Sequence, residues 1–369
     1  MRAIAFYISG HGFGHAARQI EIIRALVPRL PADHRVIIRT AAAPWLFERT
    51  LDVPATLLPG SSDTGVVQID SLRLDEPATA RAAAEFYATF ERRTQAEAEV
   101  LAAHDVRLVI ADAPPLACAA AAAHGIPSIV ISNFTWDWIY EAYEDRFHRD
   151  APHVLPLIRA AYARASAGWR LPMHGGFETF ASVSDLPFVA RHATRTKEET
   201  LGLLQVPSDR PLALASFGGY GLEAIDAVRI DALERWTVVL TGRTPRPGLP
   251  DGIAYVDEAG IYERGLRYED LVAAVDVVVA KPGYGIISEC VANRTAMLYT
   301  SRGHFPEYDV MVREMPRVLR CAYLDQAALL AGRWRTALDR LLDAPAPPDR
   351  PATDGAGRAA ERILACLGE

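Results

Sequence analysis

Short apolar runs recur along the first 133 residues, and longer amphipathic stretches separate them. AIAFYI (3–8), RVIIRT (35–40), VRLVIAD (106–112) and PSIVISN (127–133) read as strands. Between them, 17–30, 44–51 and an alanine-rich segment at 117–123, flanked by Pro115 and Gly125, read as helices. Strands that are apolar on both faces and alternate with helices predict a parallel sheet covered on both sides. The same grammar restarts with LALASFGG (212–219), WTVVLTG (236–242), GIAYVD (252–257), VDVVVAK (275–281) and TAMLYTS (295–301). The less regular stretch at 140–205 reads as the last helices of the first unit plus a linker. A Pro-rich segment at 344–354 precedes a final helix at 357–367. The pattern predicts an α/β protein with two doubly wound Rossmann-like domains facing a central cleft. Their expected bounds are 1–190 and 191–350, with 351–369 crossing back to the first domain. Ligands of open parallel sheets sit at the carboxyl ends of the strands, so the cleft is the expected site.

Composition narrows the picture. A chain of 369 residues is long enough for two domains, and 50% hydrophobic against 23% charged residues excludes general disorder. No apolar run approaches the ~20 residues of a membrane span. The start, MRAIAFYISG, is too short in apolar residues for a signal peptide, so a cytoplasmic location is expected. A net charge of −7 argues against nucleic acid as a partner. The four cysteines are scattered without a CxxC pair, which indicates neither a disulfide framework nor a cysteine metal site.

Chemistry concentrates where strands meet glycines. Ser9-Gly10-His11-Gly12-Phe13-Gly14-His15 follows the first strand and opens a helix. Gly12 and Gly14 let the backbone turn and approach a ligand. His11 and His15 suit a general base or a substrate-binding group, and a helix-capping role is the plain alternative. HGFGH lacks a glutamate after its first histidine and no third ligand is evident, so no metal is expected. Asp112 ends the strand at 106–112. There it could orient a histidine, or cap the helix that follows. Two glycine-rich turns, around Gly218-Gly219 and Lys281-Pro282-Gly283-Tyr284-Gly285, also lead from strand into helix. Such turns bind phosphate through backbone N–H groups and the helix dipole, with Lys281 adding a full charge. Glu289, about a turn into its helix, could accept bonds from ribose hydroxyls. Trp136 and Trp138 could line a sugar site, although aromatics so spaced also serve as core. His304, Glu307 and Asp309 follow a strand end and suit hydroxyl recognition.

In this arrangement the chain resembles the GT-B-fold glycosyltransferases that use nucleotide-sugars. It is most similar to the glycosyltransferase-like N-terminal half of L-arabinokinases and their stand-alone bacterial relatives. The stretches that carry the likeness are SGHGFGHAAR, GVVQIDSLRLD (65–75), ADAPPLACAAAAAHGIPSIVISNFTWDWIY (111–140), DLPFVAR (185–191), SFGGYG and KPGYGIISE. No PxxxGLxSS-like loop occurs, so sugar phosphorylation is not expected. The resemblance implies a metal-independent transferase with no cofactor, taking a nucleotide-sugar donor, UDP-linked, and a small-molecule or glycan acceptor. It implies donor binding by Gly218, Gly219, Lys281, Gly283, Gly285, Ser288, Glu289 and Glu307. It places Gly12, Gly14, Asp70, Trp136 and Trp138 on the acceptor side, and His15, Asp112 and His11 at the chemistry. His15 matches the histidine of the GGxGGH turn in the peptidoglycan GlcNAc transferase. Gly12-Phe13-Gly14-His15-Ala16-Ala17-Arg18 equally fits the G-x-G-H-x-x-R turn of enzymes that hydrolyse UDP-sugars. Hydrolysis, or sugar-nucleotide binding without turnover, therefore stays open as an alternative.

Overall fold

The computed structural model describes residues 1–70, 72–217, 229–242 and 248–368. It contains two parallel sheets. The first has seven strands: β1 (Arg2–Ile8), β2 (His34–Thr40), β3 (Thr56–Pro59), β4 (Val106–Asp112), β5 (Ser128–Phe134), β6 (Ala167–Gly175) and β7 (Val183–Asp185), ordered β3-β2-β1-β4-β5-β6-β7. The second has six: β8 (Leu212–Ser216), β9 (Thr237–Gly242), β10 (Ile253–Asp257), β11 (Val277–Ala280), β12 (Ala296–Tyr299) and β13 (Cys321–Tyr323), ordered β10-β9-β8-β11-β12-β13. In each sheet the order reverses beside the first strand, which opens a crevice at the strands' carboxyl ends.

Burial explains why these runs are strands. β1 is buried from its second residue to its last, and β5, β11 and β12 are buried throughout. Helices cover both faces, as the unalternating apolar runs require. The stretch at 140–205 holds more than helices and a linker: β6 and β7 extend the first sheet there. β6, AGWRLPMHG, contains a proline and alternates in burial, and β7 has three residues, so neither shows the apolar run of a central strand. β3 and β13 are short edges of the same kind.

The chain leaves β7 and passes to the second sheet through 186–196, which is bonded to both halves. Phe188 exchanges backbone hydrogen bonds with the tail at Ala352 and Gly355, and Val189 N–H donates to Tyr284 Oη at 3.0 Å. Asn293 accepts from Ala193 N–H and donates to the Arg191 carbonyl. The final helix, Gly355–Leu367, packs on Phe13–Leu26, the first helix of the first unit. It buries Ala359, Ala360 and Ile363, with Leu364 and Leu367 half-buried beside them. On its other side, the Arg362 guanidinium lies 4.1 Å from the centre of the Trp169 ring and bonds Ser184. The arginine thus lays its guanidinium on an aromatic face while hydrogen-bonding neutral groups.

Candidate functional site

The site assembles where β1 and β4 end. Gly12, with φ of 86°, sits in the left-handed region that glycine tolerates, and caps the helix Phe13–Leu26. One turn in, His15 is buried, and its Nδ1 lies 2.8 Å from Asp112 Oδ2. Asp112 does not cap the next helix, whose N-cap is Pro114. Ala113, at φ of 67°, turns the chain away instead and leaves the Asp112 carboxylate beside the histidine. Burial opposes ionisation of Asp112, but Arg18 and His15 outweigh it, and the carboxyl is held below its ordinary range.

Arg18 completes this cluster. Its Nε donates to Asp112 Oδ1 at 2.8 Å, and one terminal nitrogen bonds the same oxygen and Ser132 Oγ. The other terminal nitrogen donates to Asn133 Oδ1 at 2.5 Å. The Asn133 amide then donates to Glu307 Oε1 at 2.7 Å, across the cleft. Glu307 meets Arg302 at 3.4 Å, and Arg302 donates to the Pro282 carbonyl. A buried polar chain thus runs from the histidine of one unit to the glycine turn of the other. Glu307, expected from the sequence to bind the donor, has its two oxygens engaged by Asn133 and Arg302.

The second unit presents the helix Tyr284–Asn293, capped by Gly283. Its start abuts the start of Phe13–Leu26: a Cβ on Gly285 would lie 3.4 Å from Gly14 Cα. Two helix N-termini, each a concentration of partial positive charge, therefore converge. Lys281 stands just before, half-buried, with Gln68 Oε1 at 3.3 Å. Burial and the nearby Arg302 charge bring its ammonium down to about 7, against a weaker pull from Asp70. Ser288 bonds back to the Gly285 carbonyl at 2.8 Å. Glu289 is buried and its Oε1 is taken by Arg191, which also meets Glu269 at 3.2 Å. Glu289 Oε2 has no hydrogen-bond partner. Burial pushes this carboxyl up, with Arg191 opposing.

The residues expected on the acceptor side divide. Trp136 is fully buried, and its ring stands edge-on to His11 at 5.8 Å. Its Nε1–H donates to Asp63 Oδ2 at 2.9 Å. Asp63 is buried among these rings, and burial lifts its carboxyl to about 6 against the hydrogen bonds from Ser9 and Trp136. Burial, with His15, Arg302 and Lys281 as neighbours, drives His11 down to about 3, so its ring is neutral in ordinary buffers. Trp138 instead covers Gly175 of β6, where a Cβ would come within 2.3 Å of the indole. Asp70 is spent on its own turn, accepting from Leu72 and Arg73 N–H and pairing with the Arg73 guanidinium. Gly218 and Gly219 lie outside the described residues. Among the described residues, no three His, Cys, Asp or Glu side chains are grouped to hold a metal ion, and no helix is long and apolar enough to cross a membrane.

Sequence reasoning did not assign roles to Arg18, Asp63, Asn133, Arg191 or Arg302. Arg18 alone carried a signal, standing one turn after His15 on the same helix face. The others reach the site through tertiary contacts.

Two facing doubly wound sheets with the cleft between them are the GT-B fold, and solved glycosyltransferases share it. The structure superposes on CalG4, the calicheamicin glycosyltransferase, with a TM-score of 0.64 at 16% identity, covering 99% of this chain and 98% of that one. For the glycotransferase of kitacinnamycin the TM-score is 0.62 at 21% identity, covering 100% and 98%. Phytolacca americana UGT2, solved with UDP-2fluoro-glucose and pterostilbene, gives 0.62 at 13% identity, covering 99% and 94%. In sequence, the chain is similar to L-arabinokinase of Arabidopsis thaliana, 28% identical over 340 residues and 91% of this chain. It spans about a third of that relative, 32% of its length. No family model matches the chain.

Proposed function

We propose that the protein is a glycosyltransferase that moves a sugar from a nucleotide-diphosphate sugar, UDP-linked, to an acceptor hydroxyl. The observation that carries this reading is the His15–Asp112 pair, 2.8 Å apart, set against a second helix start that adjoins Lys281. Asp112 stays ionised and accepts the Nδ1 proton of His15, which leaves Nε2 as the base. The acceptor oxygen loses its proton to Nε2 and bonds the anomeric carbon as the bond from that carbon to the diphosphate breaks. Negative charge then collects on the leaving diphosphate, where the N–H groups of the helix Tyr284–Asn293 and Lys281 offset it. Glu289 Oε2, buried without a partner, suits the donor ribose. His11, with Trp136 packed edge-on behind it, forms an acceptor wall. This assignment uses no metal and no cofactor.

The UDP-2fluoro-glucose bound in the Phytolacca structure, which shares the fold, supports the donor class. The test is a thermal-shift screen of nucleotide-sugars, followed by product analysis with and without acceptor alcohols. A bound donor at 100 times its Kd stabilises by roughly 2.7 kcal/mol, a readily seen shift. His15→Ala is expected to lower turnover at least ~100-fold, as for loss of a general base, with donor affinity kept. Sugar release that ignores every acceptor would replace transfer with hydrolysis. Binding without turnover would leave a sensor.

A further inference from the structure

The imidazole of His15 has two hydrogen-bonding neighbours at one nitrogen. Nδ1 lies 2.8 Å from Asp112 Oδ2 and 3.0 Å from the Arg18 terminal nitrogen that also bonds Asp112. These neighbours demand opposite tautomers. A carboxylate needs Nδ1 to carry a proton, whereas a guanidinium, which donates and never accepts, needs Nδ1 bare. Only the first leaves Nε2 with the lone pair that a base requires.

Counting the protons of Arg18 resolves the conflict. A terminal guanidinium nitrogen has two hydrogens. The nitrogen facing His15 has an acceptor for each: Asp112 Oδ1 and, at 2.9 Å, Ser132 Oγ. Nε–H is directed to Asp112 Oδ1 as well, and the second terminal nitrogen serves Asn133. The nitrogen that faces the imidazole therefore has no hydrogen left for it. Arg18 also occupies Oδ1 of Asp112 from two directions, so Oδ2 is the oxygen left to face His15. The guanidinium is fixed from the other domain too. Its carbon lies 5.4 Å from the centre of the Tyr284 ring, the first residue of the donor-side helix. The Asn133 amide that receives it is held by Glu307.

We propose that Arg18 is a positioning residue that selects the Nδ1–H tautomer of His15, and that Tyr284 holds Arg18 in the orientation that does so. The base is then ready only while the donor-side helix stands against the acceptor side. This rests on His15 serving as the base, but its first test needs no substrate. Histidine-selective 15N NMR reads the tautomer directly from the Nδ1 and Nε2 shifts, with His15→Gln assigning the signal. The neutral ring of the wild-type protein is expected to favour Nδ1–H by at least about tenfold. Tyr284→Leu should bring the two tautomers to comparable populations, and Tyr284→Phe, which keeps the ring, should restore the wild-type ratio. An Nε2–H signal in the wild-type protein would overturn the proposal whatever the variants do. So would a wild-type ratio in a folded Tyr284→Leu. A UDP titration of the same wild-type sample separates the two readings. A correct tautomer without UDP binding refutes the proposed donor and leaves Arg18 its role. UDP binding with the wrong tautomer refutes the role of Arg18 and leaves the donor.

Discussion

Lys281 shows how a single residue couples the site to pH. Its ammonium is brought to about 7 by burial and by Arg302, and its hydrogen-bonding partner is a neutral amide, Gln68. A diphosphate placed beside it would favour the charged form. Binding should therefore take up a proton wherever free Lys281 is neutral, which is above about pH 7. The sign follows: affinity is greatest below that point and falls as pH rises, by up to about tenfold per unit. Calorimetry with UDP-glucose at pH 8, in buffers of different ionisation enthalpy, should show proton uptake, and Lys281→Met should abolish it. Equal heats in all buffers would mean that Lys281 does not meet the donor. His11 has no such reach, because it is neutral throughout this range. The ring also leans on Gly65, at φ of 65°, where a Cβ would come within 2.4 Å of its Nδ1.

At the scale of elements, the sequence was most readable where strands are central. The buried runs at β1, β4, β5, β8, β9, β11 and β12 announce themselves through apolar residues on both faces. The glycines that follow β1 and β11 mark both helix starts that meet in the cleft. Hidden from this reading were partners far apart in the chain, such as Asp112 with Arg18 and Glu289 with Arg191, because no local period relates them. The second pair changes what a mutation at Glu289 reports. Arg191, its side chain 15% exposed, lies between the buried Glu289 and Glu269. Glu289→Ala would leave a largely desolvated guanidinium with Glu269 alone, at a cost of up to about 3 kcal/mol. Loss of ligand binding in that variant would confuse unfolding with lost contact. Glu289→Gln keeps an oxygen for Arg191 and removes the charge from the other side. It is expected to unfold within a few degrees of the wild type and to bind UDP more weakly by about 1–3 kcal/mol, the range for hydrogen bonds to charged groups. A Gln variant with intact UDP affinity would confine Glu289 to holding Arg191 and the linker.

At the scale of the whole molecule, the two sheets do not meet through the cleft alone. One hydrophobic cluster runs from Ile4 and Ile20 of the first unit through Phe188 to Tyr284 and Ile287 of the second, and takes in Ile363 of the tail. The tail thus reports on the same helix, Phe13–Leu26, that carries His15 and Arg18. Its anchors are the apolar side chains beneath it, Arg362 on Trp169, and the backbone bonds between Phe188 and the segment around 352–355. Full burial of a large apolar side chain contributes about 1.5–3 kcal/mol. One buried isoleucine and two half-buried leucines then hold the helix by roughly 3–6 kcal/mol, enough for docking and too little to keep the halves closed unaided. Removing residues 351–369 should leave both sheets folded, lower the unfolding temperature and widen the molecule in small-angle scattering. Turnover should fall with it, because the outer support of the helix bearing the base is gone. Ile363→Ala should reproduce the loss of stability in part, by about 2–3 kcal/mol, the low end for such a truncation, with the chain length unchanged. A truncated protein with wild-type scattering and unfolding temperature would show that the linker bonds and the Arg18–Tyr284 contact hold the halves together without the tail.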